Sequence, residues 1–198
     1  MNKQLRRNRI LIVGIFAMSI IPVIIAWAIF LNPNWLSAKT NLGKLIFPPV
    51  ATGRNDLLGI DQFSKANMQE LIGRWVMINL ITNPECAANC QEAIYKTKQI
   101  RLMLNKELTR TRRVVIFLAD FDVEAVKSLW KKDQRILRAR PSQHLLKKLL
   151  EIRKGTVPDG MLLIMDPLGN LMMQYDPDFD PYDVLKDLKK LFKVSQIG

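Results

Sequence analysis

The two cysteines of this chain, Cys86 and Cys90, lie in "TNPECAANCQEA" (residues 82–93) with three residues between them. Thiols this close can be a dithiol–disulfide couple, half of a soft metal site, or two small apolar side chains packed together. The thiolate is both the nucleophile of exchange and the metal ligand, so surroundings that lower a thiol's pKa favour the first two. Residues four apart on a helix share a face. Their Cα atoms then stand about 6 Å apart, inside the ~4.4–6.8 Å range of disulfides. A bond is expected to form after local relaxation and to be reducible. Two thiolates on one face also make a soft chelate for Cu(I). Packing alone is the third reading, since reduced cysteines are common in cores.

The flanking elements bear on this choice. "RWVMINLIT" (74–82) is a continuous apolar run, as expected of a strand buried on both faces. "ECAANCQEAIYKTKQIRLMLNKEL" (85–108) has apolar residues at helical spacing and is opened by Asn83-Pro84. Cys86 thus falls at a strand-to-helix join, where free N–H groups and the positive end of the helix dipole favour thiolate. "RRVVIFLAD" (112–120) predicts a second buried strand and "DVEAVKSLWKKD" (122–133) a short amphipathic helix. "RILRA" reads as a short strand, and "PSQHLLKKLLEIRKG" as a helix with a Pro start and a Gly stop. Two apolar runs joined by "DPLGN" predict a hairpin, and "PYDVLKDLKKLFKV" a terminal helix. Strands alternating with helices imply a mostly parallel sheet covered on both faces, the hairpin adding an antiparallel strand.

The N-terminus is a separate matter. "MNKQLRRNR" is basic without an acid, and residues 10–31 carry no charge. That run makes a helix of about 33 Å, enough to cross a hydrocarbon core. "AWA" at 26–28 looks like a signal-peptidase motif, but the run is too long for a typical signal and continues past it. We therefore expect a basic cytoplasmic flank (1–9), a transmembrane anchor (10–31), a linker (32–57) and a folded domain on the far side of the membrane (58–198). Lys and Arg number 30 against 18 acids, a balance suited to anionic lipid or acidic proteins. A domain across the membrane argues against nucleic acid, and the charge, spread along helices, reads mainly as a solvated face. "DPDFDPYD" (176–183) lacks the glycine and terminal Glu of a calcium loop, and its Asp180-Pro181 step reads as a helix cap. Gly-rich phosphate loops, HExxH and nucleophile elbows do not occur.

"GRWVMINLITNPECAANC" resembles the corresponding segment of the SCO family, the copper-handling assembly factors of cytochrome c oxidase. The likeness extends over roughly residues 58–193, including "RRVVIFLAD", "RILRARPSQHLLKKLLEIRKG" and "LLIMDPLGNLMMQY". It implies copper held by both cysteines and one distant histidine and, in some members, thiol–disulfide reduction of the oxidase copper site. The chain departs from the family where Ala87 and Gln91 follow the cysteines in place of proline. The family's histidine position falls at about Pro158, and the only histidine, His144, lies in a predicted helix, where a surface residue is expected. Thioredoxin-like proteins also keep a cis-proline facing the cysteines, and Pro158 is placed for that role. Met161, Met165, Met172 and Met173 carry soft sulfurs, Met161 nearest this loop, yet a strand rich in Leu, Ile and Met reads as core.

The expected fold is α/β: a thioredoxin-like domain with a mixed sheet flanked by helices, and one N-terminal transmembrane helix. The expected function is thiol–disulfide exchange on copper-site cysteines in cytochrome c oxidase biogenesis. Cys86 would be the more exposed, lower-pKa attacker and Cys90 the resolving thiol, with Pro158 shaping the substrate-facing loop. A Cu(I) carrier using Cys86 and Cys90 as metal ligands is one alternative, and a non-catalytic assembly scaffold another. Copper is the only cofactor in view. The expected partner is a respiratory oxidase subunit or another copper or redox assembly factor. The expected location is the bacterial inner membrane, single-pass, with the soluble domain in the periplasm.

Overall fold

The computed structural model describes residues 3–32, 40–53, 55–120, 133 and 135–195. The chain divides into two compact units, Met1–Thr40 and Asn41–Gly198. The first contains α1 (Lys3–Leu31), whose stretch Arg6–Leu31 is long and apolar enough to cross a membrane. Its large side chains, among them Phe16, Met18, Trp27 and Phe30, are exposed. Pro22 lies inside the helix, as lipid-embedded helices tolerate.

The second unit is built on one seven-stranded sheet. Its strands are β1 (Lys44–Ala51), β2 (Leu57–Gly59), β3 (Trp75–Ile81), β4 (Thr111–Phe117), β5 (Leu137–Pro141), β6 (Leu162–Met165) and β7 (Asn170–Tyr175), in the order β1-β7-β6-β3-β4-β5-β2. Its α-helices among the described residues are α2 (Gln62–Asn67), α3 (Ala88–Met103), α4 (Gln143–Ile152) and α5 (Pro181–Val194). Only β3–β4 and β4–β5 pair in parallel, and the other four pairings are antiparallel. The sheet is therefore mixed, as the expected fold has it, but antiparallel pairings outnumber the parallel ones that the strand–helix alternation suggested. Parallel pairing needs a crossover, whereas β2 and β6 each return to the sheet in the opposite sense.

Every residue of β3 is buried, as its apolar run, interrupted only by Asn79, leads one to expect. Val76, Ile78 and Leu80 pack on one face with Val114, Ile116, Leu163 and with Leu145 and Leu149 of α4. Trp75 and Met77 pack on the other with Ala93 and Ile100 of α3 and Val184, Leu188 and Phe192 of α5. The caps follow sequence chemistry: Ser142 accepts from Leu145 N–H, and Asp180 precedes Pro181 and accepts from Tyr182 N–H.

Residues 32–57, expected as a spacer, contribute an edge strand. β1 pairs with β7 at Lys44–Leu45 and again at Val50–Ala51, with a shift of register between. Pro48 and Pro49 fall in the shift; lacking N–H groups, they are confined to edges and bulges. Ahead of β1, the buried carboxylate of Asp187 accepts the Leu42 and Gly43 amides at 2.8 and 2.9 Å and the Tyr175 hydroxyl at 2.9 Å. The segment β2–α2, with Asp61 capping α2 and paired to Arg138, also belongs to the sheet's periphery. The helix expected over 122–133 lies outside the described residues, except Asp133.

Candidate functional site

β3 releases the chain at Thr82, and Asn83 closes a turn. Its side-chain oxygen accepts from Glu85 N–H (3.1 Å), and its carbonyl accepts from Cys86 N–H (3.0 Å). Asn83-Pro84 therefore makes a turn and not the expected helix start; α3 begins at Ala88, with Ala87 as an N-cap that makes no side-chain bond. Cys86 has φ +42°, in the left-handed region that non-glycine residues seldom occupy. Gln91 Nε2 donates to the Cys86 carbonyl at 3.0 Å, tying this residue to the helix that follows. Cys90 sits in the first turn of α3.

The two sulfurs form a disulfide, S–S 2.04 Å, with Cα atoms 5.2 Å apart. One cysteine precedes the helix and the other lies inside it, so the pair reaches this separation without the regular i, i+4 geometry expected. Both cysteines are 0% exposed, which corrects the expectation that Cys86 is the more accessible. They are enclosed by Ile81, Ile94, Val115, Phe117 and Ile136, with Ile60 against the cluster. The left-handed turn at Cys86 thus coincides with a side chain sealed in an apolar pocket.

The loop before β6 forms one side of this site. Pro158 is half-buried, and its carbonyl accepts from Met161 N–H (3.2 Å). Its peptide bond is trans, since the cis bond among the described residues is Phe47–Pro48. The cis expectation for Pro158 is therefore corrected: trans is the default for X-Pro, and here Gly160, at φ +83°, makes the reversal. A Cβ on Gly160 would stand 3.0 Å from Cys90 Cα and 3.2 Å from Ala93 Cβ, so the loop lies directly against α3. Asp159 Oδ1 accepts the Thr82 amide at 2.8 Å, the Asn83 amide at 3.3 Å and the Thr82 hydroxyl at 3.4 Å.

A buried polar network adjoins the site along α3. Arg113 Nη1 pairs with Asp133 at 2.6 Å and Nη2 donates to the Ile94 carbonyl at 2.9 Å. Thr97 Oγ1 accepts from Arg113 Nε (3.3 Å) and donates to Asn79 Oδ1 (2.9 Å). Burial pushes the Arg113 pKa down, and Asp133 opposes that shift. Neither this network nor the roles of Asp159 and Gly160 are legible in the sequence. "VPDGM" looks like any turn, and Arg113 is hidden in an apolar strand.

Other candidate ligands lie elsewhere. His144 is exposed on α4, 3.5 Å from Asp56 Oδ1. Met161 and Met165 pack in the core on one face and Met173 on the other, with Met172 against it, as core side chains. Among the described residues no group of three or more His, Cys, Asp or Glu side chains converges. Among the described residues, the soft donors at the site are the two sulfurs, joined to each other.

Known proteins bear on this arrangement. The family described as "Transmembrane-like, thioredoxin-like, C-terminal domain" matches residues 75–195. No curated protein sequence matches the chain. Among solved structures, apo Sco1 from Thermus thermophilus is similar with TM-score 0.55 at 14% identity, over 78% of this chain and 99% of that one. Yeast Sco1 with copper bound gives 0.53 at 15%, over 80% and 96%. BsSco, described as having a disulfide switch and as a member of the Sco family of cytochrome c oxidase assembly proteins, gives 0.50 at 10%, over 79% and 98%. At these identities the likeness is one of fold, and the fold is SCO-like and thioredoxin-like.

Proposed function

The chain belongs to the transmembrane-like, thioredoxin-like C-terminal domain family, and from that premise we propose that it is a membrane-anchored thiol–disulfide exchange factor acting in cytochrome c oxidase biogenesis. The observation that carries this reading is the Cys86–Cys90 disulfide at the N-terminus of α3. In the reduced protein, the Cys86 thiolate attacks a disulfide formed between copper-site cysteines of an oxidase subunit. A mixed disulfide forms and one target thiolate leaves, taking a proton from water. Cys90 then attacks the Cys86 sulfur, releasing the second target thiolate and closing the disulfide seen here. The target gains two electrons, and a dithiol reductant must restore the pair. Pro158 and its loop shape the face that receives the target. Residues 10–31 of α1 are the anchor and residues 1–9 its cytoplasmic flank, and the second unit works in the periplasm of a bacterial inner membrane.

The Sco structures with copper leave a place for Cu(I) as cargo, since a reduced pair would offer two thiolates. Exchange needs no donor beyond those two, so it is the stronger reading. The test uses the full chain in detergent, equilibrated in glutathione redox buffers with thiol trapping of Cys86 and Cys90. It is followed by mixing the reduced protein with an oxidised peptide carrying the oxidase copper-site cysteines. Reversible two-electron titration and stoichiometric reduction of the peptide are expected. A pair that stays oxidised throughout, or leaves the peptide untouched, would leave only the scaffold reading. Cu(I) binding at one per molecule without peptide reduction would make carriage the function.

A further inference from the structure

We propose that Asp159 is a positioning residue for the disulfide: its carboxylate clips the Val157–Gly160 loop to the turn that presents Cys86, and so limits access of an attacking thiol to the buried pair. The proposal rests on thiol exchange being the chemistry of that pair. Two chain segments separated by more than seventy residues meet beside the cysteine pair, the later one lying against the Cys90 backbone, and one carboxylate oxygen joins them. On the β3 side, Oδ1 takes the Thr82 and Asn83 amides and the Thr82 hydroxyl. The two amides belong to residues that have just left the sheet. Asn83 then holds Cys86 N–H through its own carbonyl, so the clip lands on the very residue that makes the cysteine's backbone bond.

On the β6 side, Asp159 stands between Pro158 and Gly160. Gly160 N–H donates to the Leu80 carbonyl at 2.8 Å, and a Cβ on the glycine would come within 3.0 Å of Cys90 Cα. Among the described residues Asp159 makes no ion pair, so the partners of its carboxylate are this backbone and the Thr82 hydroxyl. Amide bonds to a carboxylate are roughly twice as strong as those to a neutral acceptor. Removing the carboxylate leaves the Leu80–Gly160 and Leu80–Met161 bonds in place, so the sheet stays paired while the loop tip above it is freed.

The test compares oxidised full-length wild type, D159A, D159N and D159S in detergent. It measures the rate of reduction by dithiothreitol, hydrogen exchange at the Thr82 and Asn83 amides, and thermal stability. Asparagine keeps the accepting oxygen, whereas serine is too short to reach both amides. D159A and D159S should be reduced faster, on the order of tenfold for a lost charge-assisted bond of this kind, with loss of amide protection. D159N should restore most of the wild-type rate. L149A, a cavity variant on the other face of the sheet, should lower stability without changing that rate. Equal rates for wild type and D159A overturn the proposal. So does D159N as fast as D159A, or L149A accelerating reduction as much as D159A does. Reduction by dithiothreitol is read whether or not any protein target is a substrate, so this result and the failure of the exchange reading are separate outcomes.

Discussion

At the residue scale, the site depends on two backbone positions that side-chain chemistry alone does not reveal. Gly160 combines φ +83° with backbone contact to Cys90, so G160A would meet both a left-handed backbone and a 3.0 Å approach to Cys90 Cα. A non-glycine residue in such a region costs on the order of 1–3 kcal/mol. G160A should therefore lower the unfolding free energy of the oxidised protein by about that amount, read as a fall in its denaturant midpoint, and an unchanged midpoint would show that the loop yields freely. The cysteines have separable roles: C90S should trap a mixed disulfide with an oxidised target through Cys86, while C86S should accumulate none. Equal trapping by both variants, read on non-reducing gels, would remove the assignment of Cys86 as attacker. The cysteine pair was legible because both thiols fall in one short window at the end of an apolar run. Asp159 was not, because its bonding partners, Thr82 and Asn83, lie far back in the sequence.

At the element scale, what the sequence conveys depends on whether an element's neighbours leave a mark on its own residues. β3 and β4 are buried on both sides, and the apolar runs Trp75–Ile78 and Val114–Phe117 within them say so. β1 carries Pro48 and Pro49, and only its pairing with β7 identifies it as a strand. The apolar pattern of β4 also conceals Arg113, which is 4% exposed and held by Asp133, Thr97 and the Ile94 carbonyl. This arginine fastens β4 to α3, the helix that carries Cys90. Removing one partner of a buried pair typically costs about 3–5 kcal/mol, because the other charge is left uncompensated, whereas replacing both is far milder. D133N should thus destabilise the protein by several kcal/mol, and the double variant R113M/D133N should recover much of that loss. Chemical denaturation decides the point; a double variant no more stable than D133N would mean that the network contributes more than the pairing of its charges.

At the scale of the whole molecule, three carboxylates join segments distant in sequence, and each is held below the usual carboxylate range. For Asp56 the leading cause is the Ser142 hydroxyl, followed by Gly53 N–H, so the turn before β2 is tied to the start of α4. For Asp176 the leading cause is the hydrogen bond from Lys44, with Arg153 adding to it, which joins β1, β7 and the end of α4. Burial pushes Asp61 upward, but bonds from Ser64 and Arg138 outweigh it, fastening α2 to β5. A carboxyl whose folded pKa is depressed binds its proton more readily when unfolded. Its stabilising effect is therefore fully present above the ordinary value of 3.8 and lost as pH falls through the lower folded value. Stability should consequently fall below about pH 4. The unfolding midpoint, followed by circular dichroism from pH 6 to pH 2, should drop most steeply there. D61N and D176N should each begin lower at pH 6 and show a shallower fall, converging on wild type at the acid end. Parallel curves for wild type and variants would mean that these carboxylates do not carry the acid sensitivity of the fold.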